Sequence, residues 1–228
     1  IGCEADFYGL IVDWCAMSDP KFTGESLDLV FKGEVRSFIN ETIPFEDQNK
    51  IPYKPDPNCK NVALSVSEYF LNTTIYSAYK RGMISMDIRS ITGNETENPL
   101  KPEDFKYVFP NITKHLNPDD HMNIKASAVK SVTPYIEIVD GETFAYMTLD
   151  LIFGKVTSPT DCEILIRATA DVKVEIDFEI QDPFKWITDF KQIKINVTDL
   201  VYDKYDLTNL EDFNSLIGTI SGFIRNYL

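Results

Sequence analysis

The 228-residue sequence lacks the features of several common protein classes. No run of about 18 apolar residues occurs, so the sequence predicts no transmembrane helix. Glycine is scarce, at ten residues, while hydrophobic residues make up 43%, which excludes a globally disordered chain. Basic residues are also few, 22 against 36 acidic ones, and the formal net charge is −14. Such a chain repels nucleic-acid phosphates and anionic membranes, so we expect no nucleic-acid partner.

Motifs for catalysis or metal binding are missing as well. The sequence has no GxSxG elbow, glycine-rich phosphate loop, HExxH or EF-hand loop. The two histidines, His115 and His121, flank Asp119 and Asp120, an arrangement that fits a metal cluster or, equally, a solvated acidic turn. Paired carboxylates lie in polar loops or at a helix start, without the apolar setting that acid–base catalysis uses. We therefore expect no enzyme activity, no metal and no cofactor.

Four cysteines are present, Cys3, Cys15, Cys59 and Cys162, and none forms a CxxC pair. This spacing disfavours a zinc or thioredoxin-type site and favours disulfide bonds. A Cys59–Cys162 disulfide would crosslink one end of a sheet, and Cys3 would then have to pair with Cys15. If residues 5–14 form one extended strand, Cys3 and Cys15 are about 40 Å apart and cannot bond. Either that segment folds back or these cysteines pair elsewhere.

Glycosylation sequons point to the same oxidising compartment. Five N-x-S/T sequons have their acceptors at Asn40, Asn72, Asn94, Asn111 and Asn196. Together with the cysteines, they predict a secreted, extracellular glycoprotein. The sequence starts at Ile1 without an initiator methionine or a signal peptide, so we expect a processed or excised segment of a longer protein.

Alternation of apolar and polar residues dominates the pattern. From Val172 to Ile180 every second residue is apolar, which predicts a half-buried strand. Leu27, Leu29, Phe31 and Val35 alternate similarly. Further strands are predicted at 5–14, 122–130, 134–139, 143–153, 162–169 and 191–202. Strands of this length predict a large, elongated sheet.

A first helix is predicted from Ser67 to Arg81, capped by Ser67 and ended by Gly82. The helical period gives it one apolar stripe. This stripe consists of Phe70, Leu71, Thr74, Ile75 and Ala78. The other side holds Glu68, Asn72, Tyr76, Tyr79 and Lys80, and suits a glycan on Asn72.

A second helix is predicted after the capping box Thr208–Glu211. Apolar residues cover more than half of its circumference. Such a helix must be enclosed by protein or face something apolar that is not protein.

Three parts of the chain, in order, carry a resemblance to a known family. Val12–Pro20 leads into Glu25–Glu34, Ala63–Thr73 follows a Pro-rich stretch, and the strands of 122–202 are closed by the helix from Leu210. With these segments, above all LDLVFKGE and LSVSEYFLNT, the chain resembles the family of bactericidal/permeability-increasing protein and lipopolysaccharide-binding protein, within the tubular lipid-binding superfamily. The resemblance covers nearly the whole chain.

The resemblance implies an α+β fold, in which a highly twisted, long-stranded antiparallel sheet wraps around two helices, as half of a boomerang-shaped molecule. Residues 1–50 would contribute central-sheet strands that end a missing first barrel. Residues 51–61 would be a Pro-rich linker, and residues 62–228 a C-terminal lipid-binding barrel that lacks its closing strand.

The implied function is lipid binding or transfer, in the manner of innate-immunity proteins. A phospholipid or another acyl-chain ligand would lie in an apolar tunnel between helices and sheet of a monomer that contacts membrane or lipoprotein surfaces transiently. Candidate tunnel residues are Phe70, Leu71, Thr74, Ile75 and Ala78 on the first helix and Phe213, Ile217, Ile220 and Ile224 on the second. For each residue alone, ordinary core packing is the competing interpretation. Lipopolysaccharide capture in this family relies on cationic residues, mainly of the first barrel, so the acidic charge argues against it here.

Two alternatives stay open. One is a secreted interaction protein or antigen, whose barrel is filled by its own side chains and whose surface binds a protein receptor. The other is a single-barrel carrier of the same superfamily, for a hormone or an odorant, although such a carrier would not need the central-sheet segment.

Overall fold

The computed structural model has an α+β fold with a large antiparallel sheet and few helices, as predicted. It describes residues 3–7, 9–23, 26–38, 41–46, 65–90, 98–107, 109–181, 185–215 and 217. Contacts divide the chain into two compact units, Ile1–Met83 and Ile84–Leu228. No helix among the described residues is long and apolar enough to cross a membrane.

The described residues of the first unit form five short strands. They are β1 (Glu4–Phe7), β2 (Leu10–Asp13), β3 (Lys21–Thr23), β4 (Ser26–Asp28) and β5 (Glu34–Arg36). Strands β1, β2 and β5 form an antiparallel sheet in that order, and β3 pairs with β4 as a separate ribbon.

The single strand predicted over residues 5–14 is wrong, because the chain turns back at Gly9. This glycine has a φ of 80°, and its N–H donates to the Asp6 carboxylate at 2.8 Å. The hairpin brings the Cα atoms of Cys3 and Cys15 to 5.0 Å, and the two residues form a disulfide. The pairing left open by the sequence is therefore Cys3 with Cys15.

The strand predicted over residues 27–35 is also interrupted. Strand β4 ends at Asp28 and β5 begins only at Glu34, after Gly33 with a φ of 57°. Val35 is buried, whereas Leu27, Leu29 and Phe31 are half exposed. These three residues therefore do not share a buried face with Val35.

Helix α1 spans Glu68–Lys80, close to the predicted helix. The Ser67 side chain accepts a hydrogen bond from the Phe70 N–H at 3.0 Å, and Gly82 has a φ of 70° just beyond the helix. The predicted N-cap at Ser67 and the predicted helix end at Gly82 are therefore both confirmed. Helix α1 packs on β5 within the first unit, whereas the resemblance placed it in the barrel of 62–228. The Pro-rich stretch 51–61 lies outside the described residues.

The second unit is built on a six-stranded antiparallel sheet. Its strands are β6 (Ser85–Ile88), β7 (Met122–Ala128), β8 (Tyr135–Val139), β9 (Glu142–Val156), β10 (Cys162–Gln181) and β11 (Lys185–Asp203). The order is β11-β10-β9-β7-β6, with β8 also paired to β9. Strand β10 has 20 residues and joins two predicted strands into one.

The core of the second unit lies on one face of this sheet. Small residues on β10, such as Ala168 and Ala170, let other elements approach closely. These are a 3-10 turn (Pro102–Phe105), the short helix α2 (Ile112–His115) and a helical segment over 210–215 and 217. The rings of Phe109 and Phe213 each lie 5.4 Å from the ring of Phe153. This aromatic cluster fixes the helical segment on the sheet.

Candidate functional site

Helix α1 packs on its own unit with polar residues. Its fully buried side chains are Tyr69, Asn72, Thr73 and Ser77. At 100° per residue these four fall on one side of the helix. The side of α1 that is most buried therefore carries mainly polar residues and is not the apolar stripe.

Hydrogen bonds to β5 explain this orientation. The Val35 N–H donates to the Thr73 hydroxyl at 3.0 Å, and the Ser77 hydroxyl donates to the Val35 carbonyl at 2.8 Å. The Tyr69 hydroxyl donates to the Glu34 carboxylate. Strand β5 is an edge of its sheet, so its outer N–H and C=O groups need such partners.

The apolar stripe of α1 lies on the opposite side of the helix. Phe70, Leu71, Thr74, Ile75 and Ala78 are all half-buried, and none is fully enclosed. The Phe70 ring packs over Gly33, whose Cβ position would lie 3.4 Å from it, and is 6.0 Å from the Trp14 ring. The predicted lipid-contacting set on α1 thus forms one continuous stripe that is only partly buried.

Asn72 does not suit the predicted glycan. This residue is only 6% exposed and lies on the buried side of α1. A glycan needs a surface position, and Asn72 does not occupy one. The stripe interpretation of the sequence misplaced it, because it assigned the polar side of α1 to solvent.

A buried charge network lies beside α1. Asp13 and Glu34 are paired across β2 and β5, and both are buried. The Lys32 ammonium lies 3.3 Å from Asp13 and 3.1 Å from Glu34, and Arg36 also approaches both carboxylates. Burial lowers the pKa of Lys32, but Glu34 and then Asp13 outweigh this effect and hold the pKa above its ordinary value. The network therefore keeps its opposite charges paired.

The lipid-contacting residues predicted on the second helix are more deeply buried than those on α1, where they are described. Phe213 and Ile217 are 0% and 4% exposed and belong to the core of the second unit, which is ordinary core packing. Ile220 and Ile224 lie outside the described residues.

The N-cap of the second helix is shifted by one residue from the predicted one. Asn209, rather than Thr208, accepts from the Asp212 N–H at 2.9 Å, and the Asn209 amide donates to the Asp212 carboxylate.

The histidines and neighbouring acids do not gather into a metal cluster among the described residues. The His115 ring stacks on Tyr205 at 4.5 Å, while Asp120 pairs with Lys155 at 2.9 Å. Asp119, Asp120 and His121 line an open cleft of about 490 Å³ together with Arg89 and residues 156–159. In the described part of the chain, three metal-type donors meet only at Cys3, Asp13 and Cys15, where both sulfurs are in the disulfide.

Cys162 is a half-buried cysteine at the start of β10, and it has no disulfide partner among the described residues. Cys59, its predicted partner, lies outside the described residues. The pairing of these two cysteines stays a prediction.

An exposed apolar surface in the first unit was missed by the sequence analysis. Six large apolar side chains between Met17 and Phe31 are at least two-fifths exposed, and Phe22 reaches 80%. Phe22 and Leu27 lie directly opposite each other on the β3–β4 ribbon. Alternation alone could not reveal this exposure, because it does not show whether the apolar face of a strand has a partner.

Comparison with known proteins gives a family match. The model of the "LBP / BPI / CETP family, C-terminal domain" matches residues 8–221. A solved structure titled "Crystal structure of lipopolysaccharide binding protein" is 16% identical, with a TM-score of 0.45. That match covers 98% of this chain and 48% of the other, so this chain spans about half the length of that protein.

Proposed function

This chain belongs to the LBP / BPI / CETP family, and from that premise we propose that it is a secreted lipid-binding or lipid-transfer module. Its ligand is a phospholipid or another acyl-chain lipid. The chain acts as a monomer, without enzyme activity, and contacts membrane or lipoprotein surfaces only transiently.

One observation carries this proposal. Helix α1 is held on β5 through Thr73, Ser77 and Tyr69, and this leaves its apolar stripe half open. Ordinary amphipathic helices bury the apolar face and expose the polar one. An acyl chain that covers this stripe gains about 25 cal/mol for each Å² of apolar surface buried.

The lipid contacts follow from this arrangement. Phe70, Leu71, Thr74, Ile75 and Ala78 line the ligand, while Phe213 and Ile217 support the second unit from its core. Ile220 and Ile224 stay predicted contacts on the sequence pattern alone. The acidic charge of the chain favours a neutral or zwitterionic lipid over an anionic endotoxin.

Lipid mass spectrometry tests the proposal. The natively purified protein is extracted with organic solvent beside an unrelated secreted protein prepared in the same way. We expect a phospholipid or fatty-acid species in stoichiometric amount in the first extract only. A clean extract from a folded, monodisperse sample would contradict lipid binding.

The exposed apolar side chains from Met17 to Phe31 favour a second candidate function, a secreted interaction protein. Apolar patches of this kind are typical of protein–protein contacts. This function predicts a clean extract together with saturable binding to a protein receptor, and replacement of Phe22 and Leu27 by Ser would weaken that binding.

A further inference from the structure

Three of the five sequons lie in the described part of the chain, and their surroundings differ. Their acceptors are Asn72 in α1, Asn111 before α2 and Asn196 in β11. An N-linked glycan needs an acceptor whose side chain stands in solvent. The structure therefore separates sequons that look equivalent in the sequence.

Strand β11 has a register shift at its sequon: Val197 pairs with Ala170 and Asp199 with Thr169, so Thr198 is an extra residue, and its hydroxyl donates to the Thr169 carbonyl at 3.2 Å. Asn196 and Thr198 are both exposed, whereas Val197 between them is 2% exposed and packs in the core. The Asn214 side chain holds Val197 in place. It accepts from the Val197 N–H at 2.6 Å and donates to the Val197 carbonyl at 2.9 Å. Val197 is buried and held in place, while Asn196 and Thr198, the two residues that define the sequon, are exposed.

The sequon at Asn111, which lies in a turn, also has a buried middle residue between two exposed ones. Ile112 is 1% exposed and anchors the segment in the core, while Asn111 and Thr113 are exposed on either side. The Asn111 side-chain oxygen accepts from the Lys114 ammonium at 2.8 Å. This bond uses the oxygen and not Nδ2, the atom that a glycan would occupy.

The helical sequon at Asn72 is built in the opposite way. Residues two apart on a helix are separated by about 200°, so Asn72 and Thr74 lie on opposite sides of α1. Asn72 is 6% exposed, and Thr74 is half-buried. A glycan on Asn72 would have to displace the residues that cover this side chain.

We infer that Asn111 and Asn196 carry N-linked glycans and that Asn72 does not, an inference that rests on the secretory route proposed above. The donor is a lipid-linked oligosaccharyl diphosphate. The asparagine Nδ2 forms a bond to C1 of the terminal sugar and loses a proton, while the C1–oxygen bond breaks and the lipid diphosphate leaves. Both glycans lie on outward surfaces of the second unit, where they shield β11 and the turn before α2.

Glycopeptide mapping tests the inference. The chain is secreted from a eukaryotic cell line behind a signal sequence, and glycans are removed by a glycosidase in heavy-oxygen water, which labels each occupied asparagine. We expect label at Asn111 and Asn196 and none at Asn72. The variants Asn111→Gln and Asn196→Gln should each remove one glycan from the intact mass, and the matched control Asn72→Gln should remove none.

The possible results test the glycan assignment independently of the proposed function. Label at Asn72 in folded, secreted protein overturns the inference, and so does an unlabelled Asn111 or Asn196. If glycans occur only at Asn40 or Asn94, or if the chain is secreted without any glycan, the inference fails. The lipid extraction described above tests the proposed function separately, so the two can fail independently.

Discussion

The backbone N–H of Val35 donates a hydrogen bond to the Thr73 hydroxyl over 3.0 Å, and so joins an edge strand to a helix. The same hydroxyl donates to the Phe70 carbonyl within α1. Because Thr73 and Val35 are 0% and 2% exposed, water cannot replace either bond. The contact sets the rotation of α1, and with it the direction of the apolar stripe.

The variant Thr73→Val removes this acceptor without changing the size of the side chain. It leaves the Val35 N–H buried and unpaired, so we expect the free energy of unfolding to fall by about 1–3 kcal/mol. Urea unfolding measures the loss, and faster hydrogen exchange at Val35 locates it. Thr74→Val is the matched control, since the Thr74 hydroxyl bonds only within the helix. Equal losses in the two variants would contradict this role of Thr73.

The Cys3–Cys15 disulfide closes the β1–β2 hairpin over a separation of 12 residues. A loop of this size is worth about 2–3 kcal/mol, because the bond restricts the unfolded chain. The double variant Cys3→Ser, Cys15→Ser should therefore exchange its β1 and β2 amides faster. The β9 and β10 amides of the same variant are the internal control and should exchange as in the parent, and a parallel non-reducing peptide map tests the predicted Cys59–Cys162 bond. Unchanged exchange in the double variant would show that the hairpin holds without its bridge.

Asp87 on β6 should make the second unit sensitive to acid. Partial burial raises the pKa of Asp87, but hydrogen bonds from Arg89 and Asn123, and the charges of Arg89 and Lys125, outweigh it and hold the pKa below its ordinary 3.8. A lowered pKa in the folded state stabilises the fold above that ordinary value, and this contribution is lost as the pH falls through the folded pKa. Thermal unfolding between neutral and strongly acidic pH should show a shallower loss of stability for Asp87→Asn than for the parent. The same slope in both would contradict the prediction.

Much of the second unit was predictable, because its long strands obey a simple rule. The alternation from Val172 to Ile180 correctly predicted a strand over the second half of β10, since successive side chains of a strand alternate between only two faces. The hairpin at Gly9 was missed, although Asp6 and Gly9 are typical turn residues, because apolar residues continue on both sides of it. Alternation marks a strand but does not show where the chain reverses.

The candidate site was harder to predict. Apolar residues at Phe213 and Ile217 suit a protein core and a lipid tunnel equally well, since both exclude water. The orientation of α1 depends on the unpaired backbone of β5, a tertiary feature that no periodicity in α1 encodes. The sequence also did not determine the N-cap of the second helix, because Thr208 and Asn209 are both good N-cap residues.

The apolar stripe of α1 is the surface on which the lipid proposal depends most directly. Leu71 and Ile75 are one turn apart at its centre, away from the residues that bond β5. In the double variant Leu71→Asp, Ile75→Asp, two carboxylates would face the acyl chain. Burying them costs several kcal/mol, so we expect co-purified lipid to fall by about tenfold or more.

Val139→Asp is the matched control, because Val139 is an exposed aliphatic residue at the end of β8. It should keep the full lipid content. Slow hydrogen exchange at Val35 in the double variant would show that α1 still sits on β5, which separates lost binding from lost folding. If lipid content stays unchanged while that exchange is preserved, the stripe does not contact the ligand, and the lipid must lie elsewhere in the chain.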